Sequence, residues 1–306
     1  MPDSSRDQLI GFIGTGNIGN PMARQLIRGG HQLVVFDLRP EVMENLLELG
    51  AEPAASAAEV ASRCSVVFSS LPGPPQIEAA TAGPDGILAG ASPGDIHVDL
   101  STNSLRGVQR IVQLETDADI VHIDAPVTGG VVRAGEGTLT VYGSGDAETF
   151  ELVRPLLEHI GTNVFHLGEA GMGCLYKLVN NVIVLSGHMI VHEALVLGAK
   201  AGLDVRDLVE KLRLGTARPY MFTVDDLLAK QWENPTSEGF IAEKDIALAL
   251  ELARDHQVPM PVANATHQTY LAMLAAGFGE LHHYSAQDVL EAAAGIEIPP
   301  LLIDND

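Results

Sequence analysis

Cysteine is almost absent: Cys64 and Cys174 are the only two in 306 residues. Two thiols cannot staple a chain of this size in several places, and neither stands in metal-ligand spacing. A disulfide scaffold and a zinc module are therefore excluded, and a reducing compartment, the cytoplasm, is expected. Aromatic residues are also scarce, at 5% with a single tryptophan, while glycine is plentiful at 31. That balance suits close helix packing and tight turns better than a β-sandwich. Basic residues are few: 18 Lys and Arg against 40 Asp and Glu leave a formal net charge of -22. Nucleic acid and anionic membrane faces both need a concentrated basic surface, so neither is expected as a partner. A small anion stays open, because one or two local cations outweigh the global field inside a cleft. The surplus acid otherwise describes a strongly solvated surface, of a kind suited to a saline environment. The opening MPDSSRDQLIGF lacks a basic stretch followed by an apolar one, so no secretory signal is expected. The longest apolar stretch, Leu178 to Leu197, is interrupted by Asn180, Asn181, His188, His192 and Glu193. It reads as a core or interface helix and not as a membrane span.

What the chain does have is a core-forming 46% of hydrophobic residues and a regular rhythm. Apolar runs at Leu9 to Ile13, Gln32 to Phe36, Ser65 to Ser69, Ile96 to Asp99, His122 to Asp124, Thr138 to Tyr142 and Asn163 to His166 are spaced as strands. Helical patterns stand between them, for example Leu105 to Leu114 and Asp146 to His159. That alternation predicts an α/β domain with a mostly parallel sheet of Rossmann type, covered on both faces. After about Gly168 the strands stop. Met172 to Ala201 is predicted as one long helix, with shorter ones after it. The expected division is residues 1–168 for nucleotide binding and 169–306 for an all-helical substrate and dimerisation domain.

Gly14-Thr15-Gly16-Asn17-Ile18-Gly19 fits G-x-G-x-x-G and lies between a predicted strand and helix. Gly14 permits the tight turn, Gly16 lets the backbone approach a pyrophosphate, and Gly19 lets helix pack on strand. The helix amino terminus then offers N–H groups to the phosphates. Asp37 ends the second strand, placed to accept from an adenosine ribose. A carboxylate there repels a 2′-phosphate, so NAD is favoured over NADP, although Arg39 nearby has the opposite charge preference.

Further motifs follow in order: Asp99-Leu100-Ser101-Thr102, Asp124-Ala125-Pro126-Val127-Thr128-Gly129-Gly130, and Gly135-Glu136-Gly137-Thr138-Leu139. Then come Gly168-Glu169-Ala170-Gly171-Met172-Gly173 with Lys177 and Asn180-Asn181, and last Gly239-Phe240 with Lys244-Asp245. The ordered set, over nearly the whole length, resembles the β-hydroxyacid dehydrogenase family. That family includes 3-hydroxyisobutyrate dehydrogenase and tartronate semialdehyde reductase, and is 6-phosphogluconate dehydrogenase-like in its fold. The resemblance implies that Leu71, Pro72 and Thr102 line the cofactor path near the nicotinamide. It implies that Thr128, Gly129 and Gly130 hold a substrate carboxylate, Lys177 is catalytic and Asn181 orients substrate. Lys244 would reach the cofactor, supported by Asp245. The resemblance also implies a homodimer or homotetramer. Thr128 stands where most members have Ser, which keeps the hydroxyl and narrows the pocket by a methyl.

The chemistry of these residues agrees with those roles. Lys177 and Asn181 are four apart, one above the other on a helix face. Hydride transfer to a carbonyl leaves an alkoxide that needs a proton, and a Lys ammonium supplies it while opposing the growing charge. The Asn amide fixes the oxygen's angle. Thr128-Gly129-Gly130 has the makings of an anion nest. His188 and His192 form an i,i+4 pair without the glutamate of a zincin motif, so packing is expected and no metal is. His282-His283 reads as surface or interface, and Trp232 and Phe240 as either pocket wall or core. The expected activity is hydride transfer between NAD and a small β-hydroxy acid, either 3-hydroxyisobutyrate-like or tartronate semialdehyde/glycerate-like. Its alternatives are imine reduction, or a nucleotide-binding scaffold without turnover.

Overall fold

The computed structural model describes residues 9–221 and 224–301. β1 (Leu9–Ile13) leads into α1 (Gly19–Arg28), and β2 (Gln32–Phe36) into a 3-10 turn at Pro40–Met43 and α2 (Glu44–Glu48). There follow β3 (Glu52–Pro53), α3 (Ala57–Arg63), β4 (Val66–Ser69), α4 (Pro74–Ala82), α5 (Ile87–Gly90) and β5 (Ile96–Asp99). Next come α6 (Leu105–Thr116), β6 (Val121–Asp124), β7 (Val127–Thr128), α7 (Gly130–Glu136), β8 (Leu139–Gly145), α8 (Ala147–Ile160) and β9 (Gly161–His166).

Strands β3-β2-β1-β4-β5-β6 pair in that order, all parallel. This is the doubly wound order 3-2-1-4-5-6, in which ligands bind outside the carboxyl ends of the strands. β8 joins β6 antiparallel, β7 joins β8 antiparallel, and β9 joins β8 parallel. The inner strands are apolar almost throughout because helices cover both faces. One face buries Phe12, Met22, Leu26, Phe68, Ile123 and Phe150. The other buries Val34, Val60, Cys64 and Ile87. Local chemistry sets the helix starts. Ser56, Ser104 and Asp146 each accept from the amide three residues on, and Pro74 stands in the first turn of α4. The glycine-rich connection expected between Asp124 and Thr138 holds two elements of its own, β7 and α7. Both are too short for a periodic pattern to declare them.

α9 (Met172–Lys200) runs for 29 residues. The chain divides into two compact units between Leu178 and Val179, inside this helix and ten residues beyond the division at 168/169 expected from the motifs. The physical reason lies in its first turn. Cys174 N donates to Asp124 Oδ2 at 2.8 Å, Gly173 N to Ser144 Oγ at 2.9 Å, and Cys174 Sγ to the Asn103 carbonyl at 3.1 Å. Those bonds make the start of the helix part of the α/β unit.

The second unit continues with α10 (Val205–Leu212), α11 (Val224–Ala229), α12 (Gly239–Asp255), α13 (Pro261–Ala275) and α14 (Ala286–Ala294). Among the described residues no strand follows β9; only an isolated bridge joins Glu238 to His282. One core gathers Val191, Leu195, Val209, Leu227 and Leu228, and a second gathers Met189, Ile246, Tyr270 and Met273. By length and composition alone α9 could cross a membrane, yet half of its most apolar window is buried within the protein.

Candidate active site

The glycine turn closes β1 with its backbone in a left-handed bend. Gly14 has φ +84°, and a methyl there would run into the Ser70 carbonyl, while one at Gly19 would run into the carbonyl of Gly14. Gly16 differs. A methyl on it would approach only the Arg39 guanidinium, at 3.5 Å, so the space before the turn is clear of protein. That clearance is what a pyrophosphate needs, and the residues present fit a bound dinucleotide. An open groove of about 590 Å³ adjoins it, lined in part by Thr15, Asn17, Asn20 and Arg39. Asp37 is held from two sides: Oδ2 accepts from Thr15 N at 2.8 Å and Oδ1 from Arg39 N at 2.9 Å. Each oxygen keeps a further lone pair for a ribose hydroxyl.

Beside this turn, the ends of β4 and β5 are sewn together. Leu71 N donates to Ser101 Oγ at 2.9 Å, Ser101 N to Asp99 Oδ1 at 3.1 Å, and Ser69 Oγ to the same Asp99 oxygen at 2.8 Å. Leu71, Pro72 and Thr102 therefore stand at the carboxyl edge of the sheet, along with Gly14 and Asp37. At the end of β7, Thr128 is half-buried while Gly129 and Gly130 are exposed, with φ of 134° and 74°. Such angles turn successive amides to one side. The aliphatic part of Arg133 packs against Gly129.

Lys177 is half-buried on α9, one turn after Cys174. Because that turn is bonded to Asp124 at the end of β6, the lysine rides on a helix anchored at the same carboxyl edge. Asp124 is buried, and burial pushes its carboxyl up to about 6 against the opposing charge of His122 and the bond from Cys174. In the second unit, Asn181 is buried and donates from Nδ2 to Asp245 Oδ2 at 2.6 Å. Asn181 Oδ1 accepts from Asn180 at 3.0 Å, and Lys244 pairs with Asp245 Oδ1 at 2.9 Å. Asn181, Asp245 and Lys244 are one linked group, and Asn181 retains one amide proton for a ligand.

Of the flanking residues, one departs from expectation. His283 is no surface residue: it is 6% exposed, because the 3-10 turn at His283–Ser285 folds its ring inward against His188, Tyr270 and Tyr284. Trp232 is partly buried and packs against the core of the second unit, its indole donating to Asp288 at 2.8 Å. His188 and His192 pack on Tyr284. Sequence reasoning gave no role to Ser69, Ser101, Asp124 or Ser144, which hold the loops and the helix start. The available signal was a polar residue closing an otherwise apolar strand.

Fold and site together define an NAD(P)-binding oxidoreductase of Rossmann type. Residues 9–168 match the family model described as the NAD binding domain of 6-phosphogluconate dehydrogenase. Residues 171–290 match that described as NAD-binding of NADP-dependent 3-hydroxyisobutyrate dehydrogenase. The chain is 33% identical to an NAD-dependent L-serine dehydrogenase of Pseudomonas aeruginosa, over 94% of this chain and 99% of that one. It is 33% identical to 2-hydroxy-3-oxopropionate reductase of Escherichia coli, over 93% and 98%. Among solved structures, a 3-hydroxyisobutyrate dehydrogenase from Salmonella typhimurium superposes with a TM-score of 0.85 at 26% identity, covering 92% of this chain and all of that one. The protein belongs to the β-hydroxyacid dehydrogenase family.

Proposed function

We propose that the protein interconverts a short β-hydroxy acid and its aldehyde or ketone, with NAD as preferred dinucleotide and Lys177 moving the proton. The observation that carries this reading is the anchoring of the Lys177 helix, through Cys174 and Asp124, at the sheet edge that also carries the glycine turn and Asp37. When bound there, the dinucleotide supplies the hydride acceptor or donor. Lys177 takes the proton from the substrate hydroxyl in oxidation, and returns it to the oxygen in reduction. Asn181 steadies that oxygen with its remaining amide proton. Thr128, Gly129 and Gly130 receive the carboxylate, the Thr hydroxyl adding a donor to the backbone amides. Leu71, Pro72 and Thr102 shape the cofactor's nicotinamide end, and Lys244 reaches the cofactor from its pairing with Asp245.

NAD is preferred on this reading because Asp37 presents its charge where NADP carries a phosphate. The substrate class follows from the relatives, whose named substrates carry a hydroxyl or carbonyl on the second carbon from the carboxylate. Residues 1–168 are the NAD-binding domain, to which Thr128–Gly130 add the carboxylate site, and residues 169–306 are the substrate and dimerisation domain, from which Lys244 reaches the cofactor. The working form is a homodimer or homotetramer in the cytoplasm, a location in keeping with two buried, unbridged cysteines.

Lys177→Ala tests the assignment. The expected outcome is a fall in kcat of about 100- to 10,000-fold, with the dinucleotide Kd unchanged by fluorescence titration. Near-normal turnover of 3-hydroxyisobutyrate, serine or glycerate by the variant would remove Lys177 from the chemistry. Comparing ketone and imine substrates on the wild-type enzyme separates this reading from imine reduction.

A further inference from the structure

Beneath the sheet edge lies a charged cluster that the reaction does not use. Glu115 on α6 is wholly buried. Its two oxygens reach two strands: Oε1 meets His97 Nδ1 on β5 at 2.6 Å, and Oε2 meets His122 Nδ1 on β6 at 2.7 Å. The two histidines are register partners on adjacent parallel strands, 1% and 7% exposed, with rings edge to face at 5.4 Å. Two residues further on, Asp99 and Asp124 are register partners as well. The side-chain alternation of a strand puts all four on the sheet face that α6 covers.

From His97 the bonds continue toward the cofactor loops. His97 Nε2 lies 2.8 Å from Ser69 Oγ, and Ser69 gives its only proton to Asp99. His97 thus links the Ser69 hydroxyl on β4 to Glu115 on α6. Asp99 holds Ser101, whose hydroxyl receives the amide of Leu71. From His122 the route runs two residues along β6 to Asp124, which accepts the Cys174 amide and so fixes the start of α9. His122 Nε2 has no hydrogen-bond partner among the described residues, so Glu115 is the anchor of that ring.

We propose that Glu115 is a positioning residue: by clamping His97 and His122 it sets the cofactor loop at Leu71 and the helix bearing Lys177 in one register. A buried ion cluster is a poor device for stability, since apolar side chains of equal volume serve as well or better. Its use is geometric, because a carboxylate gripping two imidazoles admits one arrangement of the two strands. The three side chains do not form a cation site. Nitrogen and oxygen at 2.6 and 2.7 Å share a proton, whereas ligands each about 2 Å from a metal ion stand roughly 3 Å or more apart. The charges support the same arrangement. Burial pushes Glu115 up, but the two imidazoles prevail and hold it down to about 2. Burial pushes His122 down, but Glu115, Asp99 and Asp124 raise it to about 9.

The inference rests on the proposed roles of Leu71 and Lys177, and the test separates the two. Glu115→Gln, of the same shape, puts an amide donor against one imidazole donor and releases one strand. The expected result is about a 10-fold weaker dinucleotide Kd and a fall in kcat of about 10- to 100-fold. Ser69→Ala cuts only the cofactor branch, so the Kd weakens several-fold and kcat falls less than in Glu115→Gln. Titration against pH gives a readout that a structural role does not move. In the oxidative direction the wild-type kcat holds up to about pH 9 and then falls as His122 discharges and the β6 branch loosens, while the Glu115→Gln kcat is already low and shows no such fall. Lowered melting temperatures alone, with Kd, kcat and the pH dependence of kcat as in wild type, would overturn the proposal. Should Glu115→Gln not fold, an unchanged Kd in Ser69→Ala does so by itself. An active Lys177→Ala variant sinks the catalytic role of the lysine and leaves the Kd measurements standing.

Discussion

At the residue scale, the proposed preference for NAD rests on Asp37 and Arg39. The carboxylate is fixed by two backbone amides, while the Arg39 side chain is 63% exposed and pairs with it loosely, at 3.9 Å. A 2′-phosphate would meet a held negative charge and a loosely held positive one. Asp37→Asn keeps size and removes the charge. We expect the ratio of kcat/KM for NADP over NAD to rise about 10- to 100-fold, equivalent to about 1.4–2.8 kcal/mol. Taking the ratio cancels any loss of activity common to both cofactors. A ratio within twofold of wild type would show that Asp37 does not read the ribose.

At the scale of the element, α9 carries four sets of residues along its length. Its first turn is held by Asp124 and Ser144, and Lys177 and Asn181 share a face a turn later. His188 and His192 face Tyr284 in the second unit. A further stripe is turned outward: Tyr176, Ile183, Ile190 and Leu197, 50%, 68%, 58% and 70% exposed. These are spaced by seven, the repeat that lets two helices pack along a seam, and they extend over about 30 Å. On the proposed homo-oligomer, this stripe is the surface expected to be covered. The paired substitution Ile183→Glu and Ile190→Glu should convert the proposed homo-oligomer to monomer in light scattering while leaving the helical circular dichroism signal intact. An unchanged mass would place the subunit contact elsewhere.

At the scale of the whole molecule, the two units carry opposite pH sensitivities. In the second, burial holds His188 down to about 4 and His192 to about 3, and drives His283 well below the ordinary histidine value of 6.5. The unfolded chain binds the extra protons, so this contribution is complete above pH 6.5 and declines as pH falls toward 4 and 3. In the first unit His122, raised to about 9, contributes fully below pH 6.5 and loses its share as pH rises to 9. Glu115, lowered to about 2, loses its share only below pH 4.5. Asp124, raised to about 6, works in the opposite sense between pH 3.8 and 6, but three histidines outweigh one carboxyl. Calorimetry should show Tm highest near pH 6.5, with the second unit destabilised first in acid. A Tm flat from pH 4.5 to 9 would contradict this account.

The strand–helix alternation, the parallel sheet, the glycine turn and the long helix were all readable in the chain, because each is a local pattern. Period-two apolar runs, helical spacing, capping side chains and a glycine at φ +84° act over a few residues. The family could be recognised for the same reason, since its motifs are contiguous stretches such as Asp124 to Gly130. Folding alone decided which distant side chains would meet. Nothing near Glu115 in sequence announces His97, eighteen residues away, and nothing near Cys174 announces Asp124, fifty residues away. Both pairs exist because strand register brings β5 beside β6 and because α6 and α9 return to the same sheet. The division inside α9 and the burial of His283 were decided there too, by hydrogen bonds and ring contacts that depend on which surfaces meet and leave no periodic trace along the chain.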